Sequence, residues 1–263
     1  MIRDITIGQY YPIRSLVHVL DPRTKILLTF FYIISLFMVN HFVGYVFVVA
    51  TLYIIIKLTK VPIKYMLKGL KSIVAILLFT VILNIFFTQG ETEIARWGIF
   101  VISLEGIILA AQMGARLILL IVGSSILTLT TSPIELTDGI ESLLRPFKKI
   151  GVPAHEIAMM MSISLRFIPI LLEETDKIMK AQAARGADFE SGNIVQRAKA
   201  MIPIMVPLFI SAFRRAEDLA MAMEARCYRG GEGRTRMNQL KYNRRDYYGF
   251  SLGIVFLLIC ILL

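Results

Sequence analysis

The chain has 263 residues, 56% of them hydrophobic, with a mean hydropathy of +0.68. Several runs of about 17 or more residues carry no formal charge, which excludes an ordinary soluble domain and predicts an all-α, polytopic membrane protein with about five transmembrane helices. A net charge of +10 would suit nucleic acid, but its placement argues against that partner: residues 57–71 hold Lys57, Lys60, Lys64, Lys68 and Lys71 without an acid, whereas 84–105 hold Glu91, Glu93 and Glu105 against Arg96. This is the positive-inside asymmetry of a protein embedded in a lipid bilayer.

The opening MIRDITIGQYYP lacks the basic, apolar, small-residue order of a cleavable signal, so the apolar segments are read as spans. The uncharged run from Ile26 to Ile56 is too long for one comfortable crossing, and Asn40-His41 with Gly44 predicts two short helices of about 17 residues each. A third span is expected over 72–88, followed by the polar, acidic QGETEIARWG, whose Trp97 suits an interface. A fourth covers about 106–129, and a last one runs from the interfacial pair Tyr247-Tyr248 to Leu263.

With a cytoplasmic N-terminus these spans put the lysine-rich loop inside and the acidic loop outside. The expected organisation is a membrane region over 1–129, a cytoplasmic or interfacial region over 130–246 and a C-terminal span over 247–263. The middle region holds 18 basic and 14 acidic residues. Two long helices are expected there. Glu173 with Lys177, Asp176 with Lys180 and Arg214 with Asp218 stand at i, i+4 on solvated faces. Met159, Met160, Met161, Ile163, Phe167 and Ile170 form an apolar face for packing or a partner. Pro203 and Pro207 either kink the second helix or bound a shorter membrane-dipping segment.

Each long helix ends in a similar word, Ala184-Arg185-Gly186 and Ala225-Arg226-Cys227, 41 positions apart. A planar guanidinium between small residues can enter a groove and fork onto a carboxylate or carbonyls; the alternative is that each arginine only complements its helix dipole. Arg116 lies in mid-span, where a charge costs at least a few kcal/mol unless paired or hydrated, so it should face protein, for packing or for an assembly contact. Gly114, Ala115, Gly123, Ser124 and Ser125 favour close helix approach there.

No Walker A sequence occurs, so ATP binding by this chain is not expected. His18, His41 and His155 are too scattered for a metal, and His155-Glu156 reads as a helix-start pair. The acids at 173–176 and 217–218 are accounted for by neighbouring basic residues. Cys227 and Cys260 stand alone, against a disulfide or thiolate site. No cofactor, metal or catalytic residue is predicted.

Taken in order, Asp21-Pro22-Arg23-Thr24-Lys25, Thr131-Ser132-Pro133, Leu165-Arg166-Phe167-Ile168-Pro169 and RRAEDLAMAMEARCYRGG make nearly the whole chain resemble the transmembrane coupling subunit, or T component, of energy-coupling factor transporters, the CbiQ/EcfT family. The resemblance implies a non-enzymatic subunit of an importer for vitamins or other micronutrients in the cell membrane. It also implies two cytoplasmic coupling helices whose tips, Ala184, Arg185, Gly186 and Ala225, Arg226, Cys227, dock on two ATP-binding cassette ATPase subunits, and a separate membrane-embedded S component that binds substrate. Arg116, Arg166 and Arg229 are further assembly contacts on this reading. Cys227 departs from the family's usual glycine, which puts equal roles for the two tips in question. The rival readings are a conventional importer permease that forms the pathway itself, for which a Glu-Ala-Ala loop is missing, and a membrane-embedded enzyme, which would need clustered acids or histidines at the surface.

Overall fold

The computed structural model describes residues 10–39, 41–71, 73–88, 92–97, 100–189, 193–231 and 239–263. Its elements are α1 (Pro22–Met38), α2 (Phe42–Thr59), α3 (Ile63–Lys71), α4 (Val74–Phe87), β1 (Glu93–Trp97), β2 (Phe100–Ser103), α5 (Leu104–Thr130), α6 (Pro133–Leu144), a 3-10 turn (Arg145–Ile150), α7 (Ala154–Ala184), α8 (Ile194–Ala225) and α9 (Arg244–Leu262). The chain is all-α apart from the antiparallel β1–β2 hairpin, which pairs Glu93 with Ser103 and Trp97 with Phe100 where a polar loop was expected. The side chain of Trp97 and the residue Asn40 lie outside the described parts, so neither expectation placed on them is examined by the structure.

The expected break between the first two spans falls between Met38 and Phe42, with α1 and α2 at 17 and 18 residues. Among the described residues five helices are long and apolar enough to cross a membrane: α2, α5, α7, α8 (over Val195–Ala225) and α9. The number matches the expected five but the membership differs. α1 and α4 are shorter, α4 joins α3 only through a 63° bend, and α7 and α8 qualify by length and composition. The lysine-rich 57–71 stretch, expected as a loop, contains α3.

Contacts divide the chain into two units. One comprises 8–139 and 239–263, the other 1–7 and 140–238, and α6 carries the division. In the first unit α5 packs against α1, α2, α3 and α4, while α9 packs on α1. Leu36, Val39, Val48, Leu52, Leu119, Val122, Ile126 and Leu129 belong to its core. A side chain at Gly123 would overlap the Tyr32 ring, and Tyr32 Oη donates to the Leu119 carbonyl at 2.8 Å, so α1 and α5 touch nearly backbone to ring. α4 buries no residue, and Ile76, Phe79 and Phe87 stand exposed. In water such a surface would be a liability, whereas against hydrocarbon it is the favourable one.

The Asp21-Pro22-Arg23-Thr24-Lys25 word knots three helices of this unit. Asp21 caps α1 by accepting from the Arg23 amide at 2.9 Å, with Pro22 at the first helical position where its missing N–H costs nothing. The Arg23 guanidinium forks back onto both Asp21 oxygens at 3.0 Å and lies 3.9 Å over the Tyr242 ring. Asp246, 1% exposed, accepts from the amides of Asp21 and Asn243, each at 2.8 Å, so one carboxylate closes its own helix start and holds the start of α1. Lys25 Nζ donates to the carbonyls of His18 (3.0 Å) and Thr130 (2.9 Å), satisfying the end of α5. His18 itself bonds Ser15 Oγ and the Tyr11 carbonyl; burial, helped by the Lys25 charge, pushes its pKa below the usual imidazole range. The Thr131-Ser132-Pro133 word starts α6 with a capping box: Ser132 Oγ accepts from the Glu135 amide at 3.3 Å, and a Glu135 oxygen accepts from the Ser132 amide at 3.1 Å.

Arg116 faces protein, as a mid-span charge should. Its Nη2 donates to the Val39 carbonyl at 3.0 Å, and its guanidinium sits 5.7 Å from the centre of the Phe37 ring. One arm of the mid-span charge thus meets a carbonyl at the exit of α1, while its Nε is buried without a hydrogen-bond partner among the described residues.

Candidate functional site: two arginine helix ends

The second unit is dominated by α7 and α8, which run antiparallel. Gln182 Nε2 donates to the Pro203 carbonyl at 3.4 Å, Arg215 Nη2 to Glu174 Oε2 at 3.3 Å, and Tyr228 Oη approaches His155 Nε2 at 3.4 Å, so positions rising along α7 meet positions falling along α8. The first contact has a local cause. Pro207 has no N–H, which leaves the Pro203 carbonyl without its helical donor, and Gln182 of α7 supplies one. Pro203 and Pro207 therefore lie inside a continuous α8 of 32 residues; they do not delimit a shorter segment.

Both arginine words end their helices in the same way. After α7, the Ala187 amide donates to Gln182 O and the Gly186 amide to Ala183 O, both at 3.0 Å, with Gly186 at φ +88°. After α8, the Tyr228 amide donates to Met223 O at 3.0 Å and the Cys227 amide to Glu224 O at 2.8 Å, with Cys227 at φ +55°. These are two Schellman closures in identical register, with Arg185 and Arg226 as the C-cap residues. Ala184, Arg185, Gly186, Ala225, Arg226 and Cys227 are all exposed, and neither tip guanidinium has a hydrogen-bonding or ionic partner among the described residues. A cap arginine that served its own helix would lie on the terminal carbonyls, and the Schellman amides occupy those instead.

Cys227 thus occupies the left-handed position that glycine fills at the first tip, and a side chain there costs about 1 kcal/mol. Nothing lies within 4 Å of a Cβ built on Gly186, so the cost of Gly186→Ala is confined to the backbone. Cys227→Gly is expected to slow hydrogen exchange at the Tyr228 amide about fivefold, and Gly186→Ala to speed exchange at the Ala187 amide by a similar factor. Unchanged protection in both variants would count against the strain assigned to Cys227.

The second tip is also tied back. The His155 ring bonds Tyr228 Oη through Nε2 at 3.4 Å and Glu141 Oε1 through Nδ1 at 3.2 Å. His155 and Glu156 stand in the first turn of α7, as a helix-start pair, and His155 in addition pairs with Glu141. Arg166 and Arg229 are exposed, Arg229 two residues beyond Cys227. The three expected i, i+4 ion pairs, Glu173 with Lys177, Asp176 with Lys180 and Arg214 with Asp218, do not close within 4.0 Å; exposed pairs gain too little to fix long side chains. The pair that forms, Glu174–Arg215, joins the two helices. It was missed because it spans 41 residues; the only sequence signal for it was the matched position of acidic and basic doublets ahead of the two words. Among the described residues no three His, Cys, Asp or Glu side chains gather as a metal would require, and Cys227 and Cys260 are both free.

The model of the family described as cobalt transport protein, CbiQ, matches residues 14–237. Among similar proteins, the energy-coupling factor transporter transmembrane protein EcfT of Clostridium kluyveri is 60% identical across 100% of this chain and 97% of its own length. The EcfT of Ruminiclostridium cellulolyticum is 57% identical (98% and 96%), and that of Bacillus subtilis 49% identical (94% and 93%). A match of this extent, on a chain whose signature words cap its helices and end its two longest ones, makes the protein a multi-pass membrane member of the CbiQ/EcfT family, the transmembrane T components of energy-coupling factor transporters.

Proposed function

We propose that this chain couples ATP hydrolysis in two partner ATPase subunits to substrate uptake by a separate S component, and that it has no catalytic residue of its own. The observation that carries the reading is the pair of exposed arginine C-caps, closed by the same hydrogen bonds, whose guanidinium groups have no partner among the described residues. Each guanidinium projects from a helix end trimmed by Ala184 and Gly186, or by Ala225 and Cys227, which suits insertion into a groove lined by carboxylate or carbonyl oxygens. Movement of the two ATPase subunits on binding and hydrolysing ATP pulls on these ends. The antiparallel helices pass the motion to the membrane spans, and the S component reorients to release a vitamin or similar micronutrient inside.

On this reading the N-terminus and residues 130–246 are cytoplasmic, 1–129 and 247–263 hold the spans, and α7 and α8 stay out of the spanning set despite their apolar halves. The charged middles favour that placement: Glu173, Glu174, Asp176, Lys177 and Lys180 on α7, and Arg214, Arg215, Glu217 and Asp218 on α8, would each cost a few kcal/mol at mid-bilayer. Arg116, Arg166 and Arg229 are assigned to assembly contacts. The test is to purify the chain from its native membrane and identify its companions. Two ATP-binding cassette subunits, or one in two copies, together with a small membrane protein are expected; a preparation free of any ATPase would overturn the proposal.

A further inference from the structure

Beyond the two arginine words, three positions of the helices coincide at the same offset of 41. Met160 and Met201, Ile163 and Ile204, and Ala181 and Ala222 match as the tips do. Two like helices packed antiparallel are related by an approximate twofold axis, and on that axis a residue meets its own counterpart. Glu174 and Arg215 are such counterparts, 41 apart, and they touch at 3.3 Å. The axis therefore passes through this pair. Arg185 lies 11 residues beyond Glu174 and Arg226 lies 11 beyond Arg215, so the tips stand roughly 33 Å apart along the pair.

A faithful repeat would place like charges against each other on the axis. The chain avoids this by changing sign, with Glu173-Glu174 on α7 and Arg214-Arg215 on α8. The sign change also favours pairing of α7 with α8 over pairing of either helix with its copy in a second chain. Glu174 and Arg215 are partly buried, and Arg215 Nε is shielded from solvent with no partner among the described residues, so this guanidinium depends on Glu174.

We infer that Glu174–Arg215 is the pivot of the hairpin, a positioning pair that fixes the spacing of the two arginine tips so that they fit two sockets related by a twofold axis. The fit to sockets rests on the docking reading above; the pivot itself does not.

The test uses the full-length chain alone in lipid nanodiscs. In a Cys227→Gly, Cys260→Ala background, spin labels on Ala183→Cys and Glu224→Cys, equivalent exposed positions nine residues beyond the pivot, report tip separation by pulsed electron resonance. A narrow distribution centred near 27 Å of helical rise is expected. Glu174→Arg and Arg215→Glu should each broaden it roughly twofold through like-charge repulsion, and the exchanged double variant should restore the original width. Unchanged distributions in the single variants, or broadening that the exchanged pair does not rescue, would overturn the pivot. Because no ATPase is present, a failure of docking cannot be mistaken for a failure of the pivot. In the whole complex, uptake should follow the same order, lost in the singles and recovered in the exchange.

Discussion

Replacing Arg185 and Arg226 together with alanine is expected to abolish substrate uptake and recovery of the ATPase subunits, while leaving the chain folded in the membrane. Both residues are exposed C-caps whose side chains make no hydrogen bond or ion pair among the described residues, so their loss costs the isolated chain little. At an interface the balance reverses. Truncating a desolvated, hydrogen-bonded charge costs about 2–5 kcal/mol, or a factor of roughly 30 to several thousand in affinity. Two tips on one rigid hairpin bind as a bivalent ligand, so a single variant keeps one anchor and part of the complex whereas the double variant loses both. The singles should also differ: Arg226 sits beside the strained Cys227 with its tip held back by Tyr228 and His155, while Arg185 has the freer glycine setting. Normal uptake by the double variant would remove the role assigned to the tips.

The second large effect is expected at the other end of the molecule. Asp246→Ala leaves the amides of Asp21 and Asn243, both partners of a buried carboxylate, without acceptors. Hydrogen bonds to a charged group contribute about 1.5–3 kcal/mol each, and a buried unsatisfied donor costs about 1–3 kcal/mol. A loss of about 3–5 kcal/mol follows, enough to release the start of α9 from that of α1 and lower the thermal unfolding midpoint in detergent by many degrees. Asp246→Asn, which keeps one acceptor oxygen, should lie between the two. A midpoint within about 1 °C of the parent for the alanine variant would show that the Asp21–Asp246 knot carries no such weight.

What the sequence disclosed and what it hid follow from the range of the interactions. Local chemistry was legible. Asp21-Pro22 and Ser132-Pro133 with Glu135 announce helix starts through contacts two to three residues apart, and the structure has them there. The break between the first two spans was readable from length and from polar residues alone. Long-range pairing was not. The partner of Arg116 is a backbone carbonyl 77 residues away, the partner of His155 is Glu141 on another element, and the ion pair of the long helices crosses between them. Length and composition also leave the spanning set wider than the charge pattern does. Charge content set α7 and α8 apart from the spans, yet their N-terminal halves are apolar enough to qualify.

The candidate tips show the same division. The words themselves are plain in the sequence, but their equivalence is conformational, because Cys227 adopts the left-handed backbone of Gly186. Sequence alone made the second tip a departure from the first. The closing hydrogen bonds make it the same cap bearing a side chain, at an energetic cost.

The central claim is that both tips seat on ATPase subunits, and photo-crosslinking tests it most directly. A photoreactive residue placed at Ala184 and, separately, at Ala225 in the intact complex is predicted to capture an ATP-binding cassette subunit from each position, while one at the exposed Phe79 of α4 captures none. Capture of an ATPase from neither tip, in a complex that still takes up substrate, would contradict it.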